Sequence, residues 1–110
     1  MTTYVVRPAR PGDLAGVRNL WRAIRREYRV ASSWSREDPR GGAGELWVVE
    51  AGRGEIVGSC GLREGGDGLW EVHSLNLAPE WRGFGLGRAL VEQAIHDAQE
   101  QGALALAVTV

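Results

Sequence analysis

Apolar residues at Leu14, Val17, Trp21, Ile24 and Tyr28 recur at steps of three and four, while Arg18, Arg22, Arg25, Arg26 and Arg29 fall mostly on other faces. That stripe predicts an amphipathic helix from Asp13, which is able to cap it, to about Arg29. Before it, Thr3 to Arg7 reads as a strand, ended by Pro8-Ala9-Arg10-Pro11-Gly12, where two prolines and a glycine break regular structure. After it, Val30 to Gly44 has little periodicity beyond a possible short helix near Ser35 to Asp38, and is expected to be a mobile surface loop. Leu46 to Ala51 and Ile56 to Leu62 flank Gly52-Arg53-Gly54-Glu55 and predict a hairpin. A second glycine turn, Gly65-Gly66-Asp67-Gly68, leads into Leu69 to Leu77, giving three antiparallel strands in a meander. Pro79-Glu80-Trp81 ends the last of them. Ala89, Leu90, Val91, Ala94, Ile95 and Ala98 then mark a helix that stops at Gly102, and Ala103 to Val110 is a short apolar run suited to a buried strand.

The chain has 110 residues and 44% apolar content, which suits one compact domain of the usual size, roughly 100 to 150 residues. No run of about 18 apolar residues occurs, and Met1-Thr2-Thr3-Tyr4-Val5-Val6 lacks the basic start and apolar core of a signal peptide. A soluble, cytoplasmic protein with no membrane partner is therefore expected. The single cysteine, Cys60, excludes an internal disulfide framework and a cysteine-rich zinc site, and reads as a packed thiol in an apolar strand. Two histidines, His73 and His96, are too few for an obvious metal cluster, so no metal is expected.

The charge is uneven: residues 7–40 carry nine arginines against four acids, and residues 41–110 carry four arginines against ten. A basic helix face is ordinarily a solvated face, so no nucleic-acid partner is inferred from it.

The most informative segment lies where the third meander strand gives way to the second helix. Gly83, Gly85 and Gly87 remove side chains there, so backbone N–H groups at a positively polarised helix start can approach an anion closely. Arg82 and Arg88 flank the turn and are placed to add charge-assisted hydrogen bonds to a pyrophosphate. The glycines alone are equally compatible with a merely flexible turn. The G-x-G-x-x-G fingerprint is not met, and no G-K-[ST] follows.

Arg82-Gly83-Phe84-Gly85-Leu86-Gly87 resembles the R/Q-x-x-G-x-G/A motif of the GNAT N-acetyltransferase superfamily. Leu75-Asn76-Leu77-Ala78-Pro79-Glu80-Trp81 is similar to the family's fourth strand and its exit, and Arg7-Pro8-Ala9-Arg10-Pro11-Gly12-Asp13 to its first strand and helix start. The resemblance covers essentially all 110 residues. It implies an α+β, sandwich-like fold with a mixed, mostly antiparallel central sheet and helices on both faces, in the order β-α-(short α)-β-β-β-α-β. It also implies a single domain over residues 1–110 that lacks the family's usual C-terminal helix and strands.

By the same resemblance the turn Arg82 to Arg88, including Phe84 and Leu86, would hold the pyrophosphate of acetyl-CoA. The fourth strand, broken by a bulge, would offer main-chain groups of Leu75, Asn76 and Leu77 to the pantetheine. An N–H near Leu77 would polarise the thioester carbonyl as an amine attacks it. A base must take the amine's proton. Glu71 and His73 are the candidates, two residues apart on one strand and so on one face if no bulge intervenes. Glu71 matches the position at which some family members carry a glutamate base. The tyrosine that protonates the leaving thiolate in many members has no counterpart at a matching position, the only tyrosines being Tyr4 and Tyr28.

The amine acceptor is expected near the first helix and the loop after it, with Trp34 and Arg29 as contacts and Arg25 and Arg36 nearby. Trp47 and Trp70 have strand positions and read as core. The apolar edge of Leu104 to Val110 suggests a homodimer or a piece of a longer protein. The expected activity is acetyl transfer from acetyl-CoA to a primary amine of a small molecule or protein by direct attack. The alternative is a non-catalytic acyl-CoA-binding or dimerising module.

Overall fold

The computed structural model describes residues 3–28, 45–52 and 54–108, with the backbone alone for residues 25–28. Five strands form one sheet in the order β1 (Tyr4–Pro8), β2 (Glu45–Ala51), β3 (Glu55–Glu64), β4 (Leu69–Leu77) and β5 (Ala105–Val108). The first four are antiparallel neighbours, and β5 runs parallel to β4. A parallel neighbour requires a crossover, which is supplied by helix α2 (Leu86–Glu100); the other helix, α1 (Leu14–Tyr28), follows β1.

The two helices cover opposite faces. On β3 the Trp21 indole N–H of α1 donates to Ser59 Oγ at 3.1 Å, whereas the next residue, Cys60, puts its sulfur 3.9 Å from the Leu90 carbonyl oxygen of α2. Successive strand residues point to opposite sides, so these two contacts fix which helix lies on which face. Helix α1 buries Val17, Trp21 and Ile24 of the expected stripe and also Leu20, while Leu14 is partly buried and the Tyr28 side chain lies outside the described residues; a Cβ at Gly16 would fall 2.9 Å from Ile56 Cγ1. Helix α2 buries Leu86, Leu90, Ala94 and Ala98 at four-residue steps. Trp47 and Trp70 join the core, as does the Cys60 thiol, as their strand positions suggested.

Two expectations are corrected. Asp13 ends a 3-10 turn, Pro11–Asp13, and its carboxylate reaches back instead of capping α1. It accepts two hydrogen bonds from the Arg7 guanidinium, at 2.7 and 3.0 Å, and one from the Arg10 N–H at 2.7 Å. The last apolar run forms a strand, but not a buried one: Leu104 is 83% and Val108 47% exposed. Its only neighbour among the described residues is β4, so alternate faces and one edge stay open. Residues 29–44, and with them Arg29, Trp34, Arg36 and the expected surface loop and short helix, lie outside the described residues.

Candidate functional site

The register between β3 and β4 locates a bulge. Gly61 faces His73 and Ser59 faces Asn76, so two steps along β3 match three along β4. Ser74 takes up the extra residue with φ 54, a left-handed conformation that an L-serine adopts at a cost. Its neighbours hold it there: the Asn76 side-chain amide donates to the Ser74 carbonyl at 2.8 Å, and Ser74 Oγ lies 3.0 Å from His73 Nδ1. β5 pairs with Leu69 to Val72 only, so from the bulge onward the outer edge of β4 has no strand partner among the described residues. Main-chain groups of Leu75, Asn76 and Leu77 follow the bulge along this edge.

The chain leaves β4 through a 3-10 turn, Pro79–Trp81, and enters α2 through two left-handed glycines, Gly83 (φ 86) and Gly85 (φ 78). Gly85 is the N-cap and offers no side-chain acceptor, the first turn of α2 contains no acid, and Ala89 N–H to Gly85 carbonyl at 3.1 Å is the bond that starts the helix. The N–H groups of Leu86, Gly87 and Arg88 are therefore left without intrahelical partners at the positive end of the helix dipole. A Cβ at Gly83 or Gly85 would meet nothing within 4 Å, so this surface is open to a ligand. Gly87 serves differently: a Cβ there would lie 3.4 Å from Leu77 Cδ1 and 3.7 Å from Leu75 Cδ2, where α2 packs on β4. Arg82 is partly buried and donates through Nε and Nη2 to the Leu77 carbonyl, at 3.2 and 3.0 Å, tying the end of β4 to the turn. The Arg88 side chain is 85% exposed and pairs with Glu92 at 2.8 Å. Phe84, at the tip of the turn, is 68% exposed.

Glu71 and His73 share the face on which α1 packs, since Glu71 is opposite Arg63, His73 is opposite Gly61, and both alternate in step with Ser59. The bulge comes after them and leaves their common face intact. Glu71 is ion-paired with Arg63. The His73 ring is 9% exposed and lies over Gly61. The uncapped turn thus follows the C-terminal end of β4, the bulge and His73 lie near its middle, and Glu71 is the third residue from its start. Two contributors went unnoticed in the sequence: Ser74, for which no compositional signal exists, and Arg63, whose pairing depends on register. The glycines within β3 were a readable signal. Gly58 and Gly61 clear space for Leu77 and His73, a close approach of the kind strand glycines mark.

A bulged strand that runs into an uncapped glycine turn, on a mixed sheet with a helix on each face, defines the class as an acyltransferase fold. More narrowly, the chain belongs to the Acetyltransferase (GNAT) family, whose sequence profile matches residues 14–110. Among solved structures, a GNAT-family acetyltransferase from Staphylococcus aureus Mu50 is similar with TM-score 0.83 and 13% identity, over 98% of this chain and 74% of that one. A GNAT-family acetyltransferase from Brucella melitensis, solved in complex with acetyl-CoA, is similar with TM-score 0.78 and 23% identity, over 96% of this chain and 75% of that one. N-acetylglutamate synthase from Neisseria gonorrhoeae, complexed with coenzyme A and N-acetylglutamate, gives TM-score 0.67 at 18% identity, over 91% of this chain and 23% of that one. No curated protein sequence matches the chain.

Proposed function

We propose that the chain is an N-acetyltransferase that moves an acetyl group from acetyl-CoA to a primary amine of a small molecule or protein by direct attack. The observation that carries this reading is the junction of the Ser74 bulge with the open, uncapped turn at Gly83 to Gly85. When bound, acetyl-CoA supplies the thioester whose acyl group the amine takes. The N–H groups at the start of α2 suit its pyrophosphate, with exposed Arg88 adding charge at the rim, while Arg82 acts mainly by holding Leu77 in place. Along the free edge of β4 the main chain of Leu75 to Leu77 can pair with an extended amide chain as a further strand would. An N–H near Leu77 then faces the carbonyl oxygen as it gains negative charge.

Glu71 is the proposed base. Its carboxylate already binds a cation, Arg63, so an incoming ammonium can displace the guanidinium, be oriented, and lose its proton to the same oxygens. His73 stands one step nearer the bulge and is the second candidate. The acceptor is proposed to enter on the α1 face, with Arg29 and Trp34 as contacts. The exposed β5 edge supports a homodimer.

Calorimetric titration with acetyl-CoA, followed by thiol release measured over a panel of amines, tests this reading. Binding with release that drops about a hundredfold or more in Glu71→Gln supports it. Binding without release for any amine identifies an acyl-CoA-binding module instead, and release unchanged in Glu71→Gln but lost in His73→Asn moves the base to His73.

A further inference from the structure

A half-open groove of about 280 Å³ separates the start of β1 from the turn ahead of α2, lined by Tyr4, Glu80, Trp81, Phe84 and Leu86. We propose that it is a binding site for a small organic cation, an alkylated or quaternary ammonium, adjoining the turn assigned above to the pyrophosphate. Leu86, 1% exposed, closes the floor, while Tyr4 and Phe84, 46% and 68% exposed, form the rims. The Trp81 and Phe84 rings are 6.5 Å apart between centroids and inclined by 58°, so they stand as two walls of a cup and not as a stack. Three aromatic side chains line the groove, a composition that attracts a cation, and the apolar walls favour one clothed in methyl or methylene groups over a hydrated metal ion.

Charge supports the same ligand. Glu80 is exposed at the groove and has no ion-pair partner among the described residues, where Arg7, Arg63 and Arg88 pair with other acids and Arg82 is bound to the Leu77 carbonyl. Phe84, between the left-handed Gly83 and Gly85, is held out from the core, an apolar ring left largely in water. The groove belongs to the β1 side of the turn. Phe84 and Leu86 belong also to the turn proposed for the acetyl-CoA pyrophosphate, so the groove adjoins that site, but binding of a cation here requires no acetyl transfer.

The test uses the whole chain without acetyl-CoA, with choline as probe and its uncharged carbon analogue as control. Saturable shifts of the Trp81 indole and Phe84 amide resonances are expected with choline, with the carbon analogue at least about threefold weaker. Glu80→Gln and Phe84→Ala, both at exposed positions, are expected to weaken choline at least about threefold each while unfolding at the wild-type temperature. Equal binding of the carbon analogue, shifts centred elsewhere, or full affinity in both variants would overturn the proposal. So would a fall in solution mass on Phe84→Ala, which would assign the groove to a contact between copies of the chain.

Discussion

The His73 imidazole occupies the space that a side chain at Gly61 would need: a Cβ there would fall 2.4 Å from Cε1 and 2.5 Å from Nε2 of the ring. Gly61 does not have the left-handed backbone of the turn glycines, so room, not φ, is what it supplies. Gly61→Ala is therefore expected to push the buried ring off its seat or part β3 from β4, at a cost of about 1–3 kcal/mol. Denaturant unfolding measures it, and the double variant Gly61→Ala/His73→Ala should recover part of the loss. A Gly61→Ala protein as stable as wild type would show that the ring does not sit there.

Acid sensitivity should trace to Asp13. The Arg7 guanidinium, helped by the Arg10 N–H, holds the Asp13 carboxyl down at about 2 against an ordinary 3.8, although burial pushes the other way. The side chains of Arg7 and Asp13 are only 12% and 14% exposed, so solvent screens the pair weakly. A folded-state value below the unfolded one means stability that is complete above pH 4 and lost as pH falls towards 2, about 2 kcal/mol in all. Thermal unfolding across that range should show Asp13→Asn less stable than wild type near neutrality but flatter in acid.

These two sites also show what the sequence could and could not convey. The α1 stripe, the meander and the turn at Arg82 to Gly87 were legible because helical periodicity and glycine placement are local signals. The exposure of β5 was not, since a four-residue apolar strand reads the same at a sheet edge as in its middle, and only the neighbours decide. The direction of the Asp13 carboxylate was hidden for a similar reason: its partner, Arg7, sits on the preceding strand. Arg63 opposite Glu71 depends on register, and a one-residue slip would put the two on opposite faces. Ser74 carries the bulge with a side chain that gives no hint of positive φ. That Glu71 and His73 share a face, by contrast, followed from strand alternation alone.

Cys60 should be inert while the protein is folded. Burial pushes its thiol up to about 12 from an ordinary 9.0, and the sulfur lies under α2 beside the Leu90 carbonyl. A disulfide reagent such as dithionitrobenzoate needs the thiolate, so labelling at pH 8 is expected to be slow in buffer and complete in denaturant. Because the folded-state value is the higher one, the unfolded chain releases this proton first, and stability should decline as pH rises above about 9. Rapid labelling under native conditions would place the sulfur at the surface.

The turn glycines separate backbone geometry from space. Gly85 has φ 78 with nothing within 4 Å of a Cβ, so Gly85→Ala meets no steric obstacle but carries left-handed strain, about 1–2 kcal/mol. Relief of that strain rotates the peptide units whose N–H groups open α2, and an added methyl projects over the open surface. Acetyl-CoA affinity by calorimetry is expected to fall about tenfold, equivalent to about 1.4 kcal/mol, with the fold retained. Gly87→Ala is the control: its φ is not left-handed, and its Cβ would make an ordinary 3.4 Å van der Waals contact with Leu77 from inside the helix. It should affect stability by less than about 1 kcal/mol and change affinity less than Gly85→Ala. Equal losses in the two variants would mean that packing of α2 on β4, and not the N–H array at Gly85, governs binding; wild-type affinity in Gly85→Ala would remove the turn from the site altogether.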